Sequence, residues 1–546
     1  MKKPFSQVEP KDRKQDKVTR LLVFGLAVAL MGLALAGCGG PGSGIGNKEI
    51  TYTIADPTGD WGFPSPHAHY SRGPGYIRMS LIFDTLVWKD DQGYVPALAK
   101  SWQYLKEENA YLLELQRGVT WHDGKKFTAG DVVFTFQYMQ KHPYQWVDTT
   151  IVNQAEAIDD HTVKLYLSKP YAPFLTNVLG TLPILPEHIW KGVENPEQFQ
   201  EKEALVGTGP FQLVDYNKEQ GIYLYAANEN YYQGKPQVGQ LKFIKMGEQV
   251  AASALQQQQV NAAQVPPELV GALEKEGFQI LEGSHDWVAK LMINHRRDPL
   301  AQTEFRQALA YAIDRQALVE ICLRGHGLAG SPGLLPPDNP WYNPAIEPYG
   351  YNPARAGEIL AGLGYTRQGD YYRKDGRVLE LELLIRGGTA ATAGAPGERE
   401  GELVKEQLER AGIKVNLRSL EAKTLDSRVG EWQFDLALSG HGGLGGDPQQ
   451  SLNQSILGQG FNSARYEGSE LLNGLLQSQL REMDEDKRRE LVAGVQEHYA
   501  REMPAIPLYY PTWYWVHDGS VPLYYTTGGV GSGVPVPVNK MAFLKR

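Results

Sequence analysis

LQRGVTWHDGKKFTAGDVVFTFQYM, residues 115–139, constrains the fold more than any other stretch of this chain. It reads as the end of a strand, a turn and a helix. Asp123-Gly124 is a turn dipeptide, with a side-chain acceptor followed by a residue free to take positive φ, so the chain reverses within a few residues. Thr128 with Asp131 three positions on predicts a capped helix start, in which hydroxyl and carboxylate occupy backbone donors that lack intrahelical partners. Val132, Val133, Phe136 and Met139 then fall on one face.

The same string resembles the signature of the family 5 extracellular solute-binding proteins, the peptide and nickel receptors of ABC importers, which carry a segment like LRxGVxWHDGxPFTAxDVVFT. Lys126 stands where the family usually has proline. Trp121, His122 and Asp123 have the look of catalytic residues, but the resemblance implies a scaffold role for them. It extends to ILPEHIW at 184–190, to VGTGPFQLVDYNKEQGIYLYAANENYYQGKP at 206–236 and to the helical stretch at 300–322. It implies an α/β, two-lobed periplasmic-binding-protein-like fold of type II with a subdomain inserted in the first lobe. The expected division places the first lobe at 49–88, 206–292 and 506–546, the insertion at 89–205 and the second lobe at 293–505.

Toward the N-terminus, seven basic residues precede an uncharged apolar run at 21–37, which is marginal in length for a membrane span. The run ends in Leu35-Ala36-Gly37-Cys38, similar to a bacterial lipobox. The expectation is a lipoprotein signal peptide over 1–37, cleavage that leaves a lipid on Cys38, and a flexible tether over 38–48. The alternative is a simple signal anchor with an incidental cysteine. Cys322 is the only other cysteine, so no disulfide framework is expected, and its helical setting suggests packing. The chain carries a net charge of −9; its first 37 residues contribute +4, leaving −13 for the rest, which argues against nucleic acid as partner.

Further along, apolar positions at three- and four-residue spacing predict one long helix over 300–322. A βαβ pattern follows, with strands at 379–385, 415–420 and 434–438 and a helix at 398–411 closed by Gly412. Strands alternating with helices imply a mainly parallel sheet with its ligand at the carboxyl ends of the strands. That directs attention to SGHGGLGGDPQQ at 439–450. Gly440, Gly442 and Gly445 match GxGxxG, but Asp447-Pro448 interrupts the helix that a dinucleotide would need, so the glycines read better as places where backbone approaches a ligand. The resemblance implies that Asp447 receives the α-ammonium of a peptide, although the tryptophan common ahead of that aspartate is absent and His441 stands nearby. Asp447 opening a turn before Pro448 is the plainer alternative. Arg386 is the candidate for a ligand carboxylate, with a surface arginine as the alternative. Trp61 and Tyr70, in a proline-rich loop long enough to suggest function, are candidate cleft residues.

His67 and His69 form an HxH pair that reads first as cleft lining or surface; with His441 as a further candidate ligand it supports, weakly, a nickel or metal-chelate receptor of the same family, and the pair alone, more remotely, a surface zinc hydrolase, with no HExxH or GxSxG beside it. The aromatic run YYPTWYW at 509–515 suits either ligand stacking or the core of a returning strand. The combined expectation is a monomeric, extracytoplasmic lipoprotein, not an enzyme, with no cofactor and no metal. It captures oligopeptides or dipeptides and passes them to the permease and ATPase subunits of an ABC importer.

Overall fold

The computed structural model describes residues 50–387, 397–460, 462–467 and 469–544. The expected signal peptide, Cys38 and the expected tether lie outside the described residues. The signature segment sits in an inserted unit built on an antiparallel sheet of four strands, in the spatial order Ala99–Leu105, Ala110–Leu115, Thr162–Leu167, Val152–Asp159. Its helix runs over Ala129–Lys141 from a capping box, with the Thr128 amide donating to Asp131 at 2.9 Å. Trp121 is core, at 1% exposure. His122 accepts from the Gly207 amide at Nδ1 and bonds the Gly209 carbonyl through Nε2, at 3.2 and 3.0 Å, and so pins the returning chain to the signature. His122 thus holds the scaffold together through ring nitrogens that are both bonded.

Two larger sheets carry the lobes. The first has seven strands in the order Gln279–Glu282, Tyr514–His517, Ala262–Gln264, Thr51–Asp56, Gln240–Lys245, Ile222–Ala227, Phe211–Asn217. Helices Glu248–Gln256 and Pro267–Lys275 bury an alanine- and valine-rich layer with Ala55, Ala263 and Val516 of this sheet. The second has six, in the order Gly327–Ala329, Ala505–Pro511, Val288–Ile293, Leu436–His441, Glu380–Arg386, Lys414–Leu420.

Three expectations are corrected. The second sheet is mixed: the strands at 380–386, 414–420 and 436–441 are parallel to one another, but Val288–Ile293 pairs antiparallel with Leu436–His441 on one side and with Ala505–Pro511 on the other. Those same two strands belong to the second sheet, so the chain crosses between lobes near 283–287 and 512–513, earlier and later than the expected boundaries at 292 and 506. The helix over 300–322 is two helices, Thr303–Ala312 and Arg315–Cys322. Ile313 is extended, and Asp314 caps the second helix by accepting from the Ala317 amide at 2.9 Å. An aspartate that can hydrogen-bond backbone donors favours a cap over a helix interior.

Candidate functional site

A cavity of about 250 Å³ lies where the lobes meet. The first lobe contributes Asp56, Pro74, Ile77, Arg78, Phe243, Trp515, Tyr525 and the Pro-Val segment at 534–538. The crossings and the second lobe contribute Asp286, Trp287, Gly442 and Trp513. The wall is mostly ring and aliphatic carbon, with charge confined to an Arg78–Asp56 ion pair and Asp286.

The glycine loop explains how Asp286 and Trp287 are seated. A side chain on Gly440 would lie 1.9 Å from the Trp287 ring, and one on Gly445 would lie 1.9 Å from Asp286 Oδ1. These glycines therefore admit neighbouring side chains of the crossing segment, where the sequence pointed to close approach of a ligand. Asp286 Oδ2 accepts from the Tyr525 hydroxyl and from Ser284 Oγ, the latter at 2.8 Å. Among the described residues, no ion pair joins Asp286 and no hydrogen bond reaches Oδ1. Burial raises its carboxyl above the usual range; hydrogen bonds from Tyr525 and Ser284 and the charge of Lys89 oppose that, and Asp338 adds to it.

On the other wall the Arg78 guanidinium pairs with Asp56 and lies 3.6 Å from the Phe243 ring centroid, while its Nε is buried without a partner. Beyond residues 71–73 and 532–534, a second and more polar cavity of about 570 Å³ is lined by Tyr144, Asn177, Gln449, Gln450, Gln454 and Ser532, among others.

Of the residues expected from sequence, Asp447, Arg386, His441, Trp61 and Tyr70 wall neither cavity, whereas Gly442, Trp513 and Trp515 line the first. Arg488 occupies both oxygens of Asp447, through Nη2 at 2.6 Å and Nη1 at 2.7 Å, and each side chain is 7% exposed. Asp447 thus stands in a buried ion pair instead of as a free acceptor. Arg386 ends its strand away from the cavity. His441 bonds the Gly442 carbonyl at 2.9 Å; its Nε2 is enclosed without a partner, and burial, followed by Lys290, lowers its ring to about 3. Trp61 and Tyr70 turn back on their own loop, bonding Thr58 at 2.8 Å and Asp60 at 3.0 Å. His69 bonds the Tyr70 carbonyl and the Tyr144 hydroxyl, and His67 the His142 carbonyl, so three of the four HxH ring nitrogens are engaged. The aromatic run divides: Tyr509 and Tyr510 are core, whereas Trp513 and Trp515 face the cavity. Their spacing of two in an extended segment was the signal available in the sequence.

The family model for the middle region of bacterial extracellular solute-binding proteins, family 5, matches residues 93–463, well over half of the chain. The chain belongs to that family. Family members are extracytoplasmic, substrate-binding components of transporters. Heme-binding protein A of Haemophilus influenzae is 29% identical over 444 residues, spanning 76% of this chain and 78% of the relative. Di/tripeptide-binding protein 2 of Pseudomonas aeruginosa is 27% identical over 447 residues, spanning 76% and 81%. The crystal structure of NikA from Brucella suis in complex with Fe(III)-EDTA superposes with a TM-score of 0.76 at 21% identity, over 89% of this chain and 98% of that one. The two-lobed fold is therefore shared with solved family members, and no described helix is long and apolar enough to cross a membrane.

Proposed function

We propose that this family 5 protein is the receptor of an ABC importer for short peptides, held to the membrane by a lipid on Cys38 and handing its cargo unchanged to a permease. The observation that carries the reading is a cavity whose wall is shared between the lobes. A ligand there touches both lobes only when they are closed, so its binding free energy favours the closed form that a permease can distinguish. Ligand sites for drug-sized molecules run from roughly 300 to 1,000 Å³, and a cavity of about 250 Å³ suits a ligand the size of a dipeptide. The engaged ring nitrogens of His67 and His69 weigh against the nickel alternative, because a ligating nitrogen must first give up its bond.

The proposed role of Asp447 is to hold the glycine loop through Arg488, which aligns that loop with the opposing lobe. The test is a thermal-shift screen of a dipeptide and tripeptide library beside nickel-histidine and heme, since a ligand that binds the folded state stabilises it by mass action. Peptide hits with small-angle scattering that contracts on binding support the proposal. Stabilisation by nickel-histidine or heme alone refutes it.

A further inference from the structure

The cavity walls differ in chemistry, and the difference specifies a ligand. Most of the wall is Trp287, Trp513, Trp515, Phe243 and the 534–538 segment, which offer ring faces and aliphatic carbon. Asp286 is the exception. It is 3% exposed, its Oδ2 is held by Tyr525 and Ser284, and Oδ1 is left without a hydrogen bond among the described residues. The positive charge of Arg78 is already matched by Asp56.

A buried carboxylate with no ion-pair partner is costly to keep in an apolar site unless a cation joins it. The other buried carboxylates on cationic partners show the contrast: Asp84 meets Lys540 at 2.6 Å and Asp447 meets Arg488. Burial raises the Asp286 carboxyl, as expected for a group lacking such a partner. Lys89 lowers it through its charge but makes no ion pair with it.

We propose that Asp286 is the acceptor for a cationic group of the ligand, and that the aromatic and Pro-Val walls select a compact amine with an apolar body. Among peptides these are short ones whose free ammonium lies beside hydrophobic side chains. The assignment deepens the peptide reading and rests on it for the peptide part alone. Tyr525 and Ser284 act as positioning residues that fix Oδ2, while Oδ1, seated against Gly445, keeps its hydrogen-bonding capacity unused.

The experiment is calorimetry of the wild type and Asp286→Asn with Leu-Phe, N-acetyl-Leu-Phe, Asp-Glu and phenylethylamine. Wild type is expected to bind Leu-Phe well and Asp-Glu poorly. Acetylation, or Asp286→Asn, is expected to weaken Leu-Phe roughly thirtyfold or more, the loss typical of one partner of a buried charge pair. The two changes together should cost little more than either alone. The unliganded melting temperature of Asp286→Asn should equal or exceed that of the wild type, because a buried charge is removed, and this separates lost binding from lost folding. Equal affinity of wild type and Asp286→Asn for Leu-Phe overturns the assignment. Failure of all peptides, with phenylethylamine bound by wild type and not by Asp286→Asn, keeps the assignment and removes the peptide reading. Failure of every probe overturns both.

Discussion

The glycine loop of the second lobe meets a glycine-rich segment near the C-terminus backbone to backbone, and this contact tests whether closure governs affinity. A β-carbon on Gly446 would lie 3.0 Å from Gly533 Cα and 3.3 Å from the Ser532 carbonyl oxygen. Carbon pairs are at ease from about 3.5 Å, and both neighbours are main chain, so the gap must widen by several tenths of an ångström. Gly446 is absent from the positive-φ residues, so alanine there costs little in the loop itself. Overpacking of this kind costs about 1 to 3 kcal/mol. If the open clamp separates the two segments, the whole cost falls on the closed form, and Gly446→Ala weakens ligand binding by about 5- to 150-fold. Its unliganded melting temperature stays within a degree or two, roughly the effect of a few tenths of a kcal/mol in a chain this large. Gly533→Ala serves as the contrast. With φ at +86° and Gly446 Cα 2.6 Å from the added carbon, it strains the backbone in both states and should lower stability as well. Calorimetry with a peptide that binds wild type, together with melting of the unliganded proteins, reads both quantities. Unchanged affinity in Gly446→Ala with a lowered melting temperature would refute the reasoning, for it would mean that the contact persists without ligand.

Lys290 gives a pH dependence of defined sign. Burial lowers it from 10.5 to about 7, so between those values the unfolded chain binds the extra proton and stability rises with pH. One proton's difference between the two states is worth about 1.4 kcal/mol for each pH unit, so the gain from pH 7 to 9 is about 2 kcal/mol; urea unfolding should show it in wild type, and Lys290→Met, more stable at pH 7, should lack that component. Asp447→Ala leaves Arg488 buried and short of its anion, which should cost about 3 to 5 kcal/mol of stability. The double variant Asp447→Leu/Arg488→Met should recover most of it in thermal melts, whereas a direct ligand role for Asp447 would leave the double variant stable but unable to bind. Trp513→Ala removes a ring from the cavity wall at a partly exposed position. It should weaken an apolar ligand by about 2 kcal/mol or more with little change in melting temperature; an unaffected dissociation constant would place the ligand elsewhere.

What is legible in the sequence is what is local. The helix at 129–141 and its cap can be read because Thr128, Asp131 and the apolar stripe lie within one segment. The break at Asp314 is hidden because the apolar spacing continues through it, and only the aspartate's preference for a cap reveals it. The direction of the second sheet misleads because the βαβ run at 379–441 is parallel, while its other strands enter from the two crossings and carry no local sign of their direction. Asp447 stands out by likeness to a motif. Its partner lies 41 residues later, on a helix whose arginines look like any exposed face.

The cavity is the least legible part for a related reason: its walls are supplied by connections between lobes. Asp286 and Trp287 lie on one crossing, Trp513 on the other, and the 534–538 segment arrives after the last strand of the first sheet. Residues on a crossing belong to both lobes and shift least when the lobes swing about it, and Asp286 and Trp513 lie on the two crossings. Gly533, next to the Pro-Val segment, meets Gly446 of the opposing lobe, and if the open clamp separates them this part of the wall is completed only by closure. Charge recognition at the hinge and apolar burial away from it are then separable steps. The first selects which molecules are held, and the second sets how much free energy each held molecule returns to closing the clamp.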